Sequence, residues 1–182
     1  AKAAVGDWRA SREAAGQQIT CTNESWGGYP FRIAVSCSRF AITLAGQKIE
    51  ADDVTLMAQA YDLRHVIALA DGDITLSRAP ASAPLILRHD SAIMSLIIAR
   101  SGTLQADALF TNLASADGLA LTHLELHAFS DRKAATAADS TALSLSASLA
   151  GLTLPAPVLG ISSLKSARLD GHVKDAPWPL PG

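Results

Sequence analysis

Apolar side chains alternate with polar or small ones along most of this chain, and that period of two restricts its fold more than any other feature. Phe31, Ile33 and Val35 alternate with Arg32, Ala34 and Ser36, and Phe40, Ile42 and Leu44 with Ala41 and Thr43. A strand beginning at Ile49 continues through Val54 and Leu56, past Asp52-Asp53. Leu143, Leu145, Ala147 and Leu149 alternate with Ser144, Ser146 and Ser148, and serine at every second position defeats a helical period of 3.6. One face of that strand is expected to meet water. Residues 92–99, AIMSLIIA, are apolar on both faces and suit a central strand. About nine or ten strands in sequence, joined by short turns, imply antiparallel neighbours.

Turn residues punctuate the pattern. Gly46-Gln47 separates two strands, and Asp71-Gly72 is expected to close a hairpin between Leu63–Leu69 and Ile74–Leu76. Pro80 and Pro84 bound a loop, and His89-Asp90-Ser91 marks another turn. Asp117-Gly118 falls between Leu104–Leu113 and Leu119–Phe129. In the latter run Leu119 and Leu121 are out of phase with Leu124 and Leu126, which predicts a β-bulge near Thr122-His123. Pro155-Ala156-Pro157 is expected to end a strand, with a short helical turn near residues 158–164 and a last strand over Arg168–Val173. The expected architecture is mainly β: a long curved antiparallel sheet, half-barrel or groove-like, with a short N-terminal helix. That helix occupies 1–18 with Val5, Trp8 and Ala15 inward, a single β-rich domain occupies 19–175, and 176–182 is a Pro/Gly-rich linker end. The two ends suit a piece excised from a longer chain, with an anchor before residue 1.

Composition narrows function. The 182 residues suit one domain, and 49% hydrophobic content with only 5% aromatics means an aliphatic interior with little to plug a curved sheet. A net charge of −2 with scattered basic residues gives no electrostatic footprint for nucleic acid. No apolar run reaches the roughly eighteen residues a membrane helix needs. Cys21 and Cys37, the only cysteines, bracket Gly27-Gly28-Tyr29-Pro30-Phe31-Arg32. A redox pair sits as Cys-x-x-Cys and zinc needs further close ligands, so a structural disulfide is the better reading, with Cα atoms about 5.5 Å apart. The bond would tie down an edge strand that starts at Pro30, and it implies an oxidising compartment.

Chemistry-bearing residues are sparse. His123, Glu125 and His127 share one face of a strand and are the metal candidates, but successive side chains there stand roughly 7 Å apart, too far to share an ion unless a bulge folds them together. A polar solvent face opposite Leu124 and Leu126 explains them without metal. His89-Asp90 and Asp71-Gly72-Asp73 fit turns. There is no nucleophile elbow and no phosphate loop, so a Ser-His-Asp triad would have to assemble from distant segments. Arg32 suits an exposed strand position, and a guanidinium there could also meet a lipid phosphate or a partner's carboxylate.

The segment from Trp8 to Cys37 resembles domain of unknown function family 2125, uncharacterised Gram-negative, mainly alphaproteobacterial envelope proteins. The likeness rests on the Ala- and Arg-rich helix near Trp8, on Cys21 and Cys37, and on Gly27, Gly28, Tyr29, Pro30, Phe31 and Arg32. Leu149-Ala150-Gly151-Leu152-Thr153-Leu154-Pro155 is similar to a later part of that family. The resemblance implies a periplasmic body tethered to the inner membrane, and brings no catalytic residues. More remotely the chain resembles AsmA-like envelope proteins, which carry apolar β-grooves. The expected function is non-enzymatic binding or guiding of an apolar ligand such as lipid, without a cofactor. A scaffolding domain that contacts another envelope protein is the alternative, and a hydrolase with a non-contiguous triad the third.

Overall fold

A computed structural model describes residues 2–14, 16–44, 46–78, 83–99, 101, 103–131, 140–158 and 160–177. An Ala-, Arg- and Glu-containing stretch forms helix α1 (Lys2–Ala14), shorter than the expected 1–18 because Gly16 turns the chain with φ of 78° and Gln18 already opens a strand; Ala15 and the side chains of Val5 and Trp8 lie outside the described residues. Twelve strands follow: β1 (Gln18–Thr22), β2 (Ser25–Gly27), β3 (Arg32–Leu44), β4 (Gln47–Gln59), β5 (Asp62–Ala70), β6 (Ile74–Arg78), β7 (Leu85–Arg88), β8 (Ser91–Ile98), β9 (Leu104–Ser115), β10 (Ala120–Asp131), β11 (Ser140–Val158) and β12 (Ile161–Pro177). All belong to one antiparallel sheet in the order β1-β3-β4-β5-β8-β9-β10-β11-β12. β2 extends β1 along β3, while β6 and β7 extend β5 and β8 between β4 and β9. The sheet is therefore a meander, as short turns between alternating segments require.

Several local expectations fail for one common reason. Asp71-Gly72 does not close a hairpin: β5 and β6 both run antiparallel to β4, end to end along it. The amides of Gly72 and Asp52 donate to the carbonyls of Asp52 and Asp73, at 3.3 and 3.2 Å. A Cβ on Gly72 would lie 2.6 Å from Asp52 Cβ, so the glycine permits close approach to β4 and not a reversal. His89-Asp90 is likewise no reversal, because β7 and β8 keep one register along β9. Thr122-His123 is no bulge: β10 holds the same register with β9 on both sides of Thr122.

What these positions share is a crease. The register aligns Asn23, Ser38, Asp53, Asp71-Gly72, His89-Asp90, Asn112, Thr122, Gly151 and Lys165 in a row across the sheet, polar residues and glycines throughout. Asn23, Asp53, Asn112 and Gly151 are left-handed, with φ of 52°, 48°, 51° and 62°. Asn, Asp and Gly enter that region most readily. Local partners satisfy the row: Asn23 Nδ2 donates to Ser38 Oγ at 3.1 Å, Asn112 Nδ2 to Asp90 Oδ2 at 2.6 Å, and Thr122 Oγ1 to the Ala150 carbonyl at 3.0 Å. A left-handed step also flips the side-chain phase. Across the crease the apolar positions jump from Cys37 to Phe40, from Leu121 to Leu124 and, over the left-handed Gly151, from Leu149 to Leu152, odd intervals where a straight strand would keep even ones.

Three further corrections concern the ends of strands. Residues 155–157 do not terminate β11, and among the described residues there is no helical turn at 158–164: Val158 pairs with Ile161 across a tight turn whose Gly160 has φ of 80°. The prolines, unable to donate to a ladder, coincide instead with a register irregularity between Thr153 and Val158. β3 is not an edge strand, since β1 and β2 flank one side and β4 the other. β12 extends well beyond the expected 168–173 and runs to Pro177, while 178–182 of the expected linker lie outside the described residues. The Asp117-Gly118 hairpin is as expected, with Gly118 N donating to Ser115 O at 3.2 Å, and β8 is internal, between β5 and β9.

The sheet is open. Its accessible surface of 11,531 Å² exceeds by more than a third the roughly 8,300 Å² of a compact chain of 18.9 kDa. Cys37, Val54, Ala92, Leu113 and Leu121 are buried beside the crease, and Ile19, Val35, Ala41 and Ala142 are buried further from it. Helix α1 meets the β1–β2 end, where Arg9 Nη1 lies 2.6 Å from Glu24 Oε2 and Glu24 Oε1 accepts from Trp26 Nε1 at 2.6 Å.

Candidate functional site

Directly opposed residues in an antiparallel ladder project from the same face, so the register alone maps each face of the sheet. One row beside the crease runs Cys37, Val54, Ala70, Ala92, Phe110, Leu124, Leu149, Ala167. Two residues further along each strand the row is Trp26, Val35, Leu56, Ala68, Met94, Ala108, Leu126, Ala147, Leu169. The third is Ile33, Ala58, Val66, Leu96, Ala106, Ala128, Leu145, Gly171. Not one polar side chain interrupts these rows. At strand and residue spacings of about 4.8 and 3.4 Å, they span roughly 35 Å by 14 Å.

Beyond the crease the same continuity holds, through Cys21, Phe40, Ala51, Ile74 and Leu87 and through Ile19, Ile42, Ile49, Leu76 and Leu85. Cys21 stands on the far side of the crease and Cys37 on the near side, and the two are bonded with Cα atoms 5.2 Å apart. The expected disulfide is present, and it places both apolar surfaces on one side of the sheet. That side is the inside of the bend, because Cys37, Val54 and Ala92, buried beside the crease, project from it. Away from the crease Val35 and Ile19 are buried, most other apolar side chains of these rows are only half-buried, and Met94, Leu126, Leu145 and Leu169 are exposed. Alanines at 68, 70, 106, 108 and 128 form a shallow floor that larger side chains would fill.

The opposite face of β9–β12 is polar and holds the sequence's metal candidates. His123 Nε2 lies 3.1 Å from Glu125 Oε1, and Glu125 Oε2 accepts from Ser148 Oγ at 3.1 Å. His127 Nδ1 lies 2.7 Å from Asp107 Oδ1, and its Nε2 is 3.9 Å from Glu125 Oε2. The hydrogen bond from His123, then that from Ser148, holds the Glu125 carboxyl below its ordinary range; the bond to His127 does the same for Asp107, against a smaller opposing effect of burial. Among the described residues no three His, Cys, Asp or Glu side chains converge as ligands on one ion. A shallow depression of about 610 Å³ on this face is lined by Asp107, His127, Phe129, Ser144, Arg168 and His172, among others.

A triad is not assembled there. Ser146 opposes His127 in the ladder, yet the His127 Nε2 faces Glu125. His65 Nε2 meets Ser95 Oγ at 3.1 Å and His172 Nδ1 meets Ser144 Oγ at 3.0 Å, each without an acid on the other ring nitrogen among the described residues.

Gly27–Arg32 forms the turn between β2 and β3, with a cis Tyr29-Pro30 peptide. Gly28 has φ of 88°, and a Cβ there would lie 2.9 Å from the Arg32 carbonyl oxygen, so glycine is required. Phe31, expected on a buried face with Ile33, is 80% exposed, and Tyr29 is 91% exposed. Phe31 sits before the ladder begins, its carbonyl accepting from Ala60 N beside the exposed Tyr61. Arg32 is exposed, as expected.

The alternation of aliphatic residues predicts an apolar face on a curved sheet, and these rows are that face. The crease is what sequence patterning left unread, and its signal is the odd jump in apolar phase, which recurs from strand to strand.

These features define a mainly β protein, built as one creased antiparallel sheet that leaves a continuous apolar face open. The chain belongs to the bacterial family described as "Uncharacterized protein conserved in bacteria (DUF2125)", whose model matches residues 1–182. No curated protein and no solved structure matches the chain.

Proposed function

We propose that this protein binds an apolar ligand, a lipid or a similar aliphatic molecule, along the inner face of its sheet, and carries out no chemistry on it. The observation that supports this most is the three uninterrupted apolar rows, exposed in part from β8 to β12. Covering even about 200 Å² of such surface would contribute roughly 5 kcal/mol of gross stabilisation. The alanine floor gives an extended hydrocarbon room to lie against backbone and methyl groups. Apolar sites with few polar groups take ligands of this kind. The Cys21–Cys37 bond supports an oxidising compartment, which for a bacterial protein is the periplasm.

Native mass spectrometry of protein taken from bacterial envelopes should show co-purifying lipid, and delipidated protein should take up a fluorescent fatty acid. Clean apo protein that takes up none overturns the reading. A second reading, a scaffold that contacts another envelope protein, is favoured by the exposed Tyr29, Phe31 and Tyr61 turns, which the core does not use.

A further inference from the structure

The sheet has two very unequal edges. At one end the outer strands are β1, five residues long, and β2, three, with α1 beside β1. At the other lies β12, seventeen residues whose outer backbone groups pair with nothing among the described residues. An unpaired strand of that length is a template for another strand.

We propose that β12 pairs antiparallel with β12 of a second copy of this chain, about a two-fold axis at Leu169. A two-fold antiparallel ladder is centred on a residue, because opposed residues must both point their backbone groups toward each other or both away. Two observations select Leu169. This register sets Arg168 opposite the partner's Asp170 and Asp170 opposite the partner's Arg168, two opposite-charge pairs in place of the intrachain pair at 3.0 Å. It also opposes Lys165 to the partner's Val173 and Lys174 to the partner's Leu164, so no like charges meet. Centring on Gly171 would set Arg168 against Lys174. Leu169 itself is 73% exposed in one copy and meets its own symmetry mate in the pair. The dimer joins the two apolar faces into one surface across the axis. The pairing is independent of the ligand reading, since it needs only the edge.

Light scattering after size exclusion should give twice the 18.9 kDa chain mass at about 100 µM, and the mass of a single chain at that concentration overturns the proposal. Arg168→Asp, which opposes two aspartates on each side of the axis, should weaken the dimer about tenfold or more. The Arg168→Asp/Asp170→Arg exchange should restore it. Failure of the exchange to rescue refutes this register. The native cysteines are both bonded, so an introduced cysteine is the only free thiol. Leu169→Cys should oxidise to a covalent dimer. Val173→Cys, four residues from the axis with its two copies roughly 27 Å apart, should not. Equal cross-linking of both variants would mean a different contact and sink the proposal.

Discussion

Gly151→Ala is the sharpest probe of the crease. Gly151 has φ of 62°, and a Cβ there would stand 2.5 Å from Thr122 Oγ1 and 2.7 Å from Thr122 Cγ2. An alanine in the left-handed region costs about 1–2 kcal/mol. Thr122 must also move and give up its bond to the Ala150 carbonyl, a further loss of about 1 kcal/mol. Reduced freedom of the unfolded chain offsets about 0.4–1 kcal/mol. The net is a destabilisation of about 2 kcal/mol, or a fall in Tm of roughly 4–8 °C for a chain of this length. Gly160 is the control: its φ is 80° but nothing lies within 4 Å of its Cβ position, so Gly160→Ala should lose only about 0.5–1 kcal/mol. Urea unfolding followed by circular dichroism measures both. In a Thr122→Ala background the cost of Gly151→Ala should drop toward that of Gly160→Ala, a coupling a double-mutant cycle reads directly. Equal costs for the two glycines, or no coupling to Thr122, would refute the close packing across the crease.

Three other outcomes are expected. Gly72→Ala should lose about 2–3 kcal/mol in the same assay, because the obstructing atoms include the Asp52 backbone at 3.1 Å, which cannot swing aside. Cys21→Ser/Cys37→Ser should lose about 3 kcal/mol by loop-closure reasoning for a separation of 16 residues, and it removes the tie between the two sides of the crease. In acid titration, Asp107 and Glu125 have folded-state pKa values below their unfolded ones, so their stabilisation is present above about pH 4 and is lost as pH falls through the lower folded values. Both groups are largely solvated, so the effect is modest, and Asp107→Asn/Glu125→Gln should flatten the slope of stability against pH in that window.

Much of the fold was legible because a period of two survives on either side of each irregularity. Strand existence, the meander, the Asp117-Gly118 hairpin and the disulfide followed from local chemistry. The crease did not, although its trace was present. The offset between Leu121 and Leu124 suggests a bulge when one strand is read alone; only alongside Cys37 to Phe40 and Leu149 to Leu152 does it become a line across the sheet. Asp71-Gly72 shows why local reading fails. The dipeptide is right for a reversal, but β4 is long enough to pair β5 and β6 in succession, and that neighbour decides the path. The prolines at 155 and 157 misled in the same way, because β11 tolerates them at an irregularity. An aliphatic face on a curved sheet was legible from the alternation, but its extent was not. Each strand offers it only three positions, and their continuity exists only in the register between strands.

The function proposed for the apolar face requires that it take a ligand. Leu126 lies in the middle row, exposed enough for Leu126→Asp to fold, while Ser146 projects from the opposite side. Titration of delipidated protein with a fluorescent fatty acid should give saturable binding that Leu126→Asp weakens at least tenfold and Ser146→Asn leaves unchanged. Binding that survives Leu126→Asp intact, or that is absent from the unmodified chain, would contradict that function.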